Sequence, residues 1–286
     1  MYPDGRVLFF LYECLRPLGG GCAYLPQKLF PQSGGVFAAL ILLLREGKGF
    51  RPSDRKNWLY LLARSACGTI GLLCNFYAVD HLLLSDASML NKMSPFFAVI
   101  MSFFLLKEKL TPVQVVSLVG AFGGALFIIK PSLSNMDLVP SLVDLLGGLG
   151  AGMAYSFVRL LGKRGERGTY IVFVLSAFSC LSVLPYVLAV PVSMTLAQVL
   201  TLLCAGLFGA GGQFSITAAY CFAPAREVSV YDYSQVVFSA VLGFLLFGDV
   251  PDGFSFLGYL IICGMAVLTF WYNNFYLPRK QNMTNG

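Results

Sequence analysis

Apolar residues run along this chain in long stretches separated by short polar breaks. A membrane-crossing helix needs about 20 mostly apolar residues. Eight stretches reach that length, near 58–80, 86–106, 111–130, 140–162, 169–190, 196–222, 226–247 and 254–276. Two earlier stretches are interrupted. "VLFFLYECLRPLGGGCAYL" carries Glu13, Arg16, Pro17 and three glycines, and "LFPQSGGVFAALILLL" is short and broken by Pro31. Counted as spans, they bring the total to ten. The pattern predicts an all-α integral membrane protein.

Composition agrees. The 286 residues are 57% hydrophobic and 12% charged, against about 45–50% and 25% in a soluble domain. The excess of basic residues, 20 against 14 acidic, gives a net charge of +6. These charges form no aromatic-interleaved basic patch, so they do not read as a nucleic-acid surface. They do segregate by side. Arg45, Lys48, Arg51, Arg55 and Lys56 follow the second span, Lys107 and Lys109 the fourth, and Lys163, Arg164 and Arg167 the sixth. Arg226 follows the eighth, and Arg279 and Lys280 lie in the tail, whereas the other side holds Lys28 and Lys130. Basic loops stay in the cytoplasm, so both termini are expected there. Trp58, Tyr60, Trp271, Tyr272 and Tyr276 sit at span ends, where aromatic anchors meet the interface.

The cysteines, eight in all, form no CxxC pair, and His81 is the sole histidine. Metal, redox and triad chemistry have little to work with, and no cofactor or metal is expected. The start, "MYPDGRVLFF", lacks a small-residue cleavage site after a short apolar core and does not read as a secretory leader.

A shift of 141 positions aligns the two halves without a gap. Gly68 falls on Gly209, Gly71 on Gly212, Ala78 on Ala219, Ser88 on Ser229, and Gly123 on Gly264. Asp86 meets Glu227, Asn91 meets Asp232, Lys92 meets Tyr233, and Glu108 meets Asp249. Residues 1–50 show no matching pattern in 140–190. Five spans per repeat is an odd number, so the second half inserts upside down. The expected architecture is ten transmembrane helices as two inverted five-helix repeats, 1–135 and 136–276, with a cytoplasmic tail at 277–286. Such repeats characterise secondary transporters.

Polar groups inside spans are costly unless they face a cavity or a partner. Ser88, Asn91, Lys92 and Pro95 share one side of their span, as do Asp232, Gln235 and Ser239 of theirs. Entering from opposite faces, Lys92 and Asp232 would sit ~10–15 Å apart along the normal, so a shared cavity fits better than a direct ion pair. Pro95 removes a backbone hydrogen bond and is expected to kink its helix, with the freed carbonyl met by a neighbour or a water-filled cavity. Gly68, Gly71, Gly148, Gly152, Gly209 and Gly212 have the spacing of close helix packing. Tyr155 and Arg159 continue the face of Gly148 and Gly152, and Gln213, Thr217 and Tyr220 that of Gly209. Arg64 and Arg159 lie near span ends and can snorkel. Asn75 and Gln213 suit interhelical hydrogen bonds as well as substrate contact.

The stretch "SPFFAVIMSFFLLKEKLTPVQVVSLVGAFGGALFI" resembles the EamA family of the drug/metabolite transporter superfamily: a proline in the fourth span, an acidic end, then a glycine-rich fifth span. "SQVVFSAVLGFLLFGDVPDGFSFLGYLIICGMAVL" resembles the same pattern, with Asp249 where glutamate is usual, and Ser117 departs from a glycine in the first half. The resemblance covers about residues 55–276. It implies a ten-helix carrier of small metabolites, often exporting, with its cavity between the two bundles.

Together these readings point to a secondary transporter, in exporting direction, for small polar metabolites such as amino acids or their derivatives. It would sit as a monomer or homodimer among the lipids of a bacterial plasma membrane. Asn91 and Lys92 would bind an anionic or carbonyl group, and Asp232 an amine or a coupling proton. Tyr155, Gln213, Tyr220, Tyr233 and Gln235 would shape the pocket. The alternatives are a membrane enzyme acting on lipid-linked groups, which needs an acid/base or metal set that the loops do not offer, and a non-transporting scaffold, which a polar cavity does not suit.

Overall fold

A computed structural model describes residues 26–47, 49–82, 90–108, 110–129, 138–189, 196–238, 241 and 253–276. The described chain is helical: α1 (Pro26–Glu46), α2 (Asn57–His81), α3 (Ser94–Leu106), α4 (Pro112–Ile129), α5 (Leu138–Lys163), α6 (Gly168–Ala189), α7 (Leu196–Phe222), α8 (Ala225–Asp232) and α9 (Gly253–Trp271), the last running into a π turn at Tyr272–Tyr276. The interrupted stretch at 29–44 is therefore the helix α1. The stretch at 7–25, the residues Ser88, Ser239 and Asp249, and the tail lie outside the described residues.

Helix ends follow the repeat. With the 141-residue shift, His81 at the end of α2 meets Phe222 at the end of α7, and Pro112 opening α4 meets Gly253 opening α9. Proline is favoured at a first helical position, where its missing N–H has no partner to lose. Among the described residues, four helical stretches are long and apolar enough to cross a membrane: Asn57–Ala78, Leu138–Lys163, Gly168–Pro185 and Gly253–Tyr276. Burial runs opposite to that of a water-soluble domain. Arg64, Ser65, Asp144, Ser156, Thr217 and Ser229 are buried, while Leu59, Phe104, Leu138, Leu207 and Leu260 are exposed. An apolar exterior is what a lipid solvent selects.

The chain forms two compact units, and each draws on both sequence halves. One comprises Met1–Ile70 and Met153–Ala223, the other Gly71–Gly152 and Pro224–Gly286. In the first, α1 packs on α6 and α7. Gly34 lies so close to Gly206 that an added Cβ would stand 2.8 Å from its backbone. Thr69 and Ser179 share a 2.6 Å hydrogen bond between α2 and α6. α5 ends in a glycine cap: Gly165 takes φ 74°, and the Glu166 N–H reaches back to the Leu161 carbonyl at 3.0 Å. The cap aims the Glu166 carboxylate at the start of α2, where it accepts from the Ser53 N–H and the Asn57 side chain, both at 3.0 Å. Arg167 beside it pairs with Glu46 at 3.4 Å and donates to the Gly49 and Arg51 carbonyls. This polar clasp ties the 47–56 connection to the α5–α6 turn.

In the second unit α4 and α9 pair through Gly124 and Gly258, each facing the other's carbonyl. Val99, Leu118, Ala125, Val230 and Ile262 bury the core around Tyr233. Gly71 and Gly147 oppose one another in the same reciprocal way, and a Cβ on Gly152 would meet Phe97 Cβ at 2.5 Å. Gly71 and Gly152 thus admit neighbouring backbone, the close packing expected of them. Gly148 has looser contacts, of 3.4 Å and beyond.

Candidate functional site

The stretch expected as one span at 86–106 is interrupted. Residues 90–91 are helical, Lys92 and Met93 form a turn, and α3 restarts at Ser94. The second half does the same at the matched register: α8 ends at Asp232, Tyr233 is a turn residue, and residues 234–238 are helical again. Asn91 and Asp232, a matched pair, are the last helical residues before each break, and both are half-buried. The proline does not cause the interruption, because Val236 stands opposite Pro95 and the helix breaks there as well. Pro95 lies at the second position of α3, where a helix tolerates it. The expected mid-helix kink is instead a turn on the N-terminal side of the proline.

Pro95 has a different consequence. In the second half the Val236 N–H bonds the Tyr233 carbonyl at 3.0 Å. The matching donor in the first half would be the N–H of residue 95, which proline lacks. The Lys92 carbonyl accepts the Tyr233 hydroxyl instead, at 2.8 Å. One break residue thereby caps the other. The Lys92 ammonium donates to Gln235 Oε1 at 3.0 Å, and the Ser229 hydroxyl donates to the Pro95 carbonyl at 3.3 Å. Tyr233 is fully buried, its ring edge-on to Phe122 at 6.3 Å. Its hydroxyl meets the Lys92 backbone, while Lys92, Gln235, Asn91 and Asp232 keep partial exposure.

The other candidates fall in the first unit. The Tyr155 and Tyr220 rings stack in parallel, 4.7 Å between centroids and 2° apart. Tyr220 is fully buried and Tyr155 half-buried. Gln213 donates to Thr217 one turn along its own helix at 3.3 Å, a contact within α7. Gly212 is buried and Gly209 half-buried in the same helix. Gly68 seats Arg64: a Cβ there would stand 2.7 Å from Arg64 Nη1. Arg64 itself is 2% exposed, so it does not snorkel outward.

Asp144 was missed by sequence reasoning. It is fully buried in α5 and accepts the Asn75 amide of α2 at 3.1 Å, with Oδ2 left without a partner. The interhelical hydrogen bond expected of Asn75 is thus made, within the second unit. The available signal was an acid inside the apolar run 140–162, one turn before Gly148 on the glycine face. Glu108 folds back to accept the Ser102 hydroxyl at 2.8 Å, beside Lys107 in the left-handed region at φ 54°.

Known proteins resemble this chain over most of its length. Residues 33–130 match the EamA-like transporter family. The Pseudopaline exporter CntI of Pseudomonas aeruginosa is 35% identical over 225 residues, 78% of each chain. A riboflavin transporter of Vibrio cholerae is 31% identical over 183 residues, 62% of this chain and 60% of that one. The human solute carrier family 35 member G1 is 26% identical over 260 residues, 84% and 71%. A solved crystal structure shares the fold with a TM-score of 0.76 at 17% identity, over 94% of this chain and 99% of that one. These relatives are named as transporters, a class distinct from enzymes. Buried polar groups, an apolar exterior and this similarity lead to one conclusion: the chain is a multi-pass membrane transporter and belongs to the EamA-like transporter family.

Proposed function

We propose that the chain is a secondary transporter that exports small polar metabolites, amino acids or their derivatives, by alternating access. Its ten spans form two inverted five-helix repeats, it lies in a bacterial inner membrane, and both termini are cytoplasmic. The bacterial relatives and the sided distribution of basic residues support this placement. The relatives' own names, a pseudopaline exporter and a riboflavin transporter, are those of carriers of small polar molecules.

The carrying observation is the matched interruption at Lys92 and Tyr233. Interrupted helices at corresponding positions of two repeats are the best pointer to a carrier's substrate site, because their ends expose backbone dipoles and unbonded groups at membrane depth. Lys92 and Asn91 bind an anionic or carbonyl group of the cargo. Asp232 takes an amine or the coupling proton. Gln235, which accepts from the Lys92 ammonium, yields it to the cargo. Tyr155, Gln213 and Tyr220 also contact the cargo.

The expected result of a thermal-shift screen of the purified chain against a metabolite library is a small set of stabilising polar metabolites. The same set leaves Lys92→Leu unshifted. A library with no stabilising member, or hits that shift the variant equally, would remove the support for this site.

A further inference from the structure

A second site is written in the first unit, around Arg64. The guanidinium belongs to α2, seven residues after its first, and is 2% exposed. Its Nε is buried with no hydrogen-bond partner among the described residues. A buried charge is costly unless a counter-charge or a set of acceptors meets it. The described acids of this unit are committed elsewhere. Glu46 holds Arg167 and Thr169, Asp54 accepts from the Lys56 N–H, and Glu166 holds Ser53 and Asn57.

The surroundings are built to keep the group in place. Gly68, the next turn of α2, leaves space that a side chain would take from Nη1. Tyr155 and Cys221 are its electrostatic neighbours. Tyr155 is held flat against the buried Tyr220. A second guanidinium, that of Arg159, reaches the same stretch of α7 and donates to the Cys221 carbonyl at 3.0 Å. Two guanidinium groups and a tyrosine stack meet here, and Arg64 has no carboxylate partner among the described residues. The planar fork of arginine matches a carboxylate in two parallel hydrogen bonds.

We infer that Arg64 is a binding residue for a carboxylate group of a small organic acid, with Tyr155 as its apolar wall and Arg159 as the neighbouring cation. The inference deepens the transport reading, and rests on it, by giving the cargo a carboxylate end.

The probe is succinate, with succinamide as its uncharged counterpart and sodium chloride at matched ionic strength as the control. Melting of the full chain in detergent is followed by fluorescence-detected size exclusion. Succinate at about a hundred times its dissociation constant raises the wild-type midpoint by about 5 °C, and succinamide does not. Arg64→Met abolishes the shift and melts no lower than wild type in the absence of succinate, because a buried charge with no described carboxylate partner has been replaced by an unbranched apolar side chain. An arginine with a purely structural role gives the reverse: a lower melting point and a retained shift. Arg64→Lys preserves the charge without the fork, and raises the half-effective succinate concentration at least about tenfold. The proposal is overturned by a wild type that succinate does not stabilise, by an Arg64→Met shift equal to wild type, or by an unchanged half-effective concentration in Arg64→Lys. Flux of labelled succinate in reconstituted vesicles separates the two readings. Arg64-dependent binding without flux sinks the transport reading and keeps the carboxylate site. Flux with no Arg64-dependent binding keeps transport and sinks the site.

Discussion

Lys92→Leu lowers the initial rate of transport in reconstituted vesicles by about 10- to 100-fold, the factor equivalent to the roughly 1.5–3 kcal/mol carried by a charge-assisted hydrogen bond. The ammonium lies at a turn inside an apolar stretch and donates to the Gln235 amide oxygen at 3.0 Å. An ammonium inside an apolar stretch is a ready donor to an incoming anionic or carbonyl group. Leucine keeps the apolar stem and removes only the donor. Asp232→Asn, at the last helical position before the matched break, gives a loss of comparable size for an amine-bearing or proton-coupled cargo. Rates of labelled flux at subsaturating cargo are the readout. Wild-type rates in both variants would remove Lys92 and Asp232 from the site.

Tyr233→Phe costs about 1–3 kcal/mol of stability, the penalty for removing the hydroxyl that a part-buried carbonyl accepts. The hydroxyl caps the Lys92 carbonyl at 2.8 Å because Pro95 cannot supply the N–H that Val236 supplies in the second half. That account makes the cost conditional. In a Pro95→Val background the chain regains the missing donor, and removal of the hydroxyl costs less than about 1 kcal/mol. The difference between the two backgrounds is a coupling energy between residues in direct contact through one carbonyl. Melts of the four proteins of this cycle in one detergent measure it. Equal losses in both backgrounds would show that the hydroxyl stabilises something other than the Lys92 carbonyl. Transport by Tyr233→Phe should also fall, since the ammonium of Lys92 is aimed from the same backbone.

Much of this is legible in the sequence. Hydropathy placed α2, α5, α6, α7 and α9 within a few residues, because a lipid-facing surface forces each of them to be apolar almost throughout. The 141-residue repeat foretold which helix ends correspond, down to His81 with Phe222. The pairing of Asn91 with Asp232 and Lys92 with Tyr233 marked the two break points, although the turns themselves were not foreseen. Hydropathy is blind to a turn that keeps its side chains apolar, and Pro95 drew attention one turn too far along the chain. Pairings across space were illegible for a different reason. Nothing in the spacing tells a snorkelling Arg64 from a buried one, since both sit near a span end. Nor does the sequence say that the Tyr233 hydroxyl meets the Lys92 carbonyl.

Solute counterflow tests the central claim, transport through a site that opens to one side at a time, most directly. Vesicles containing the purified chain are loaded with an unlabelled metabolite that stabilises it, then diluted into a trace of the labelled form. The account predicts a transient accumulation of label above the external concentration, absent from protein-free vesicles and from vesicles with Lys92→Leu. Label that only equilibrates, or that enters wild-type and protein-free vesicles alike, would contradict it.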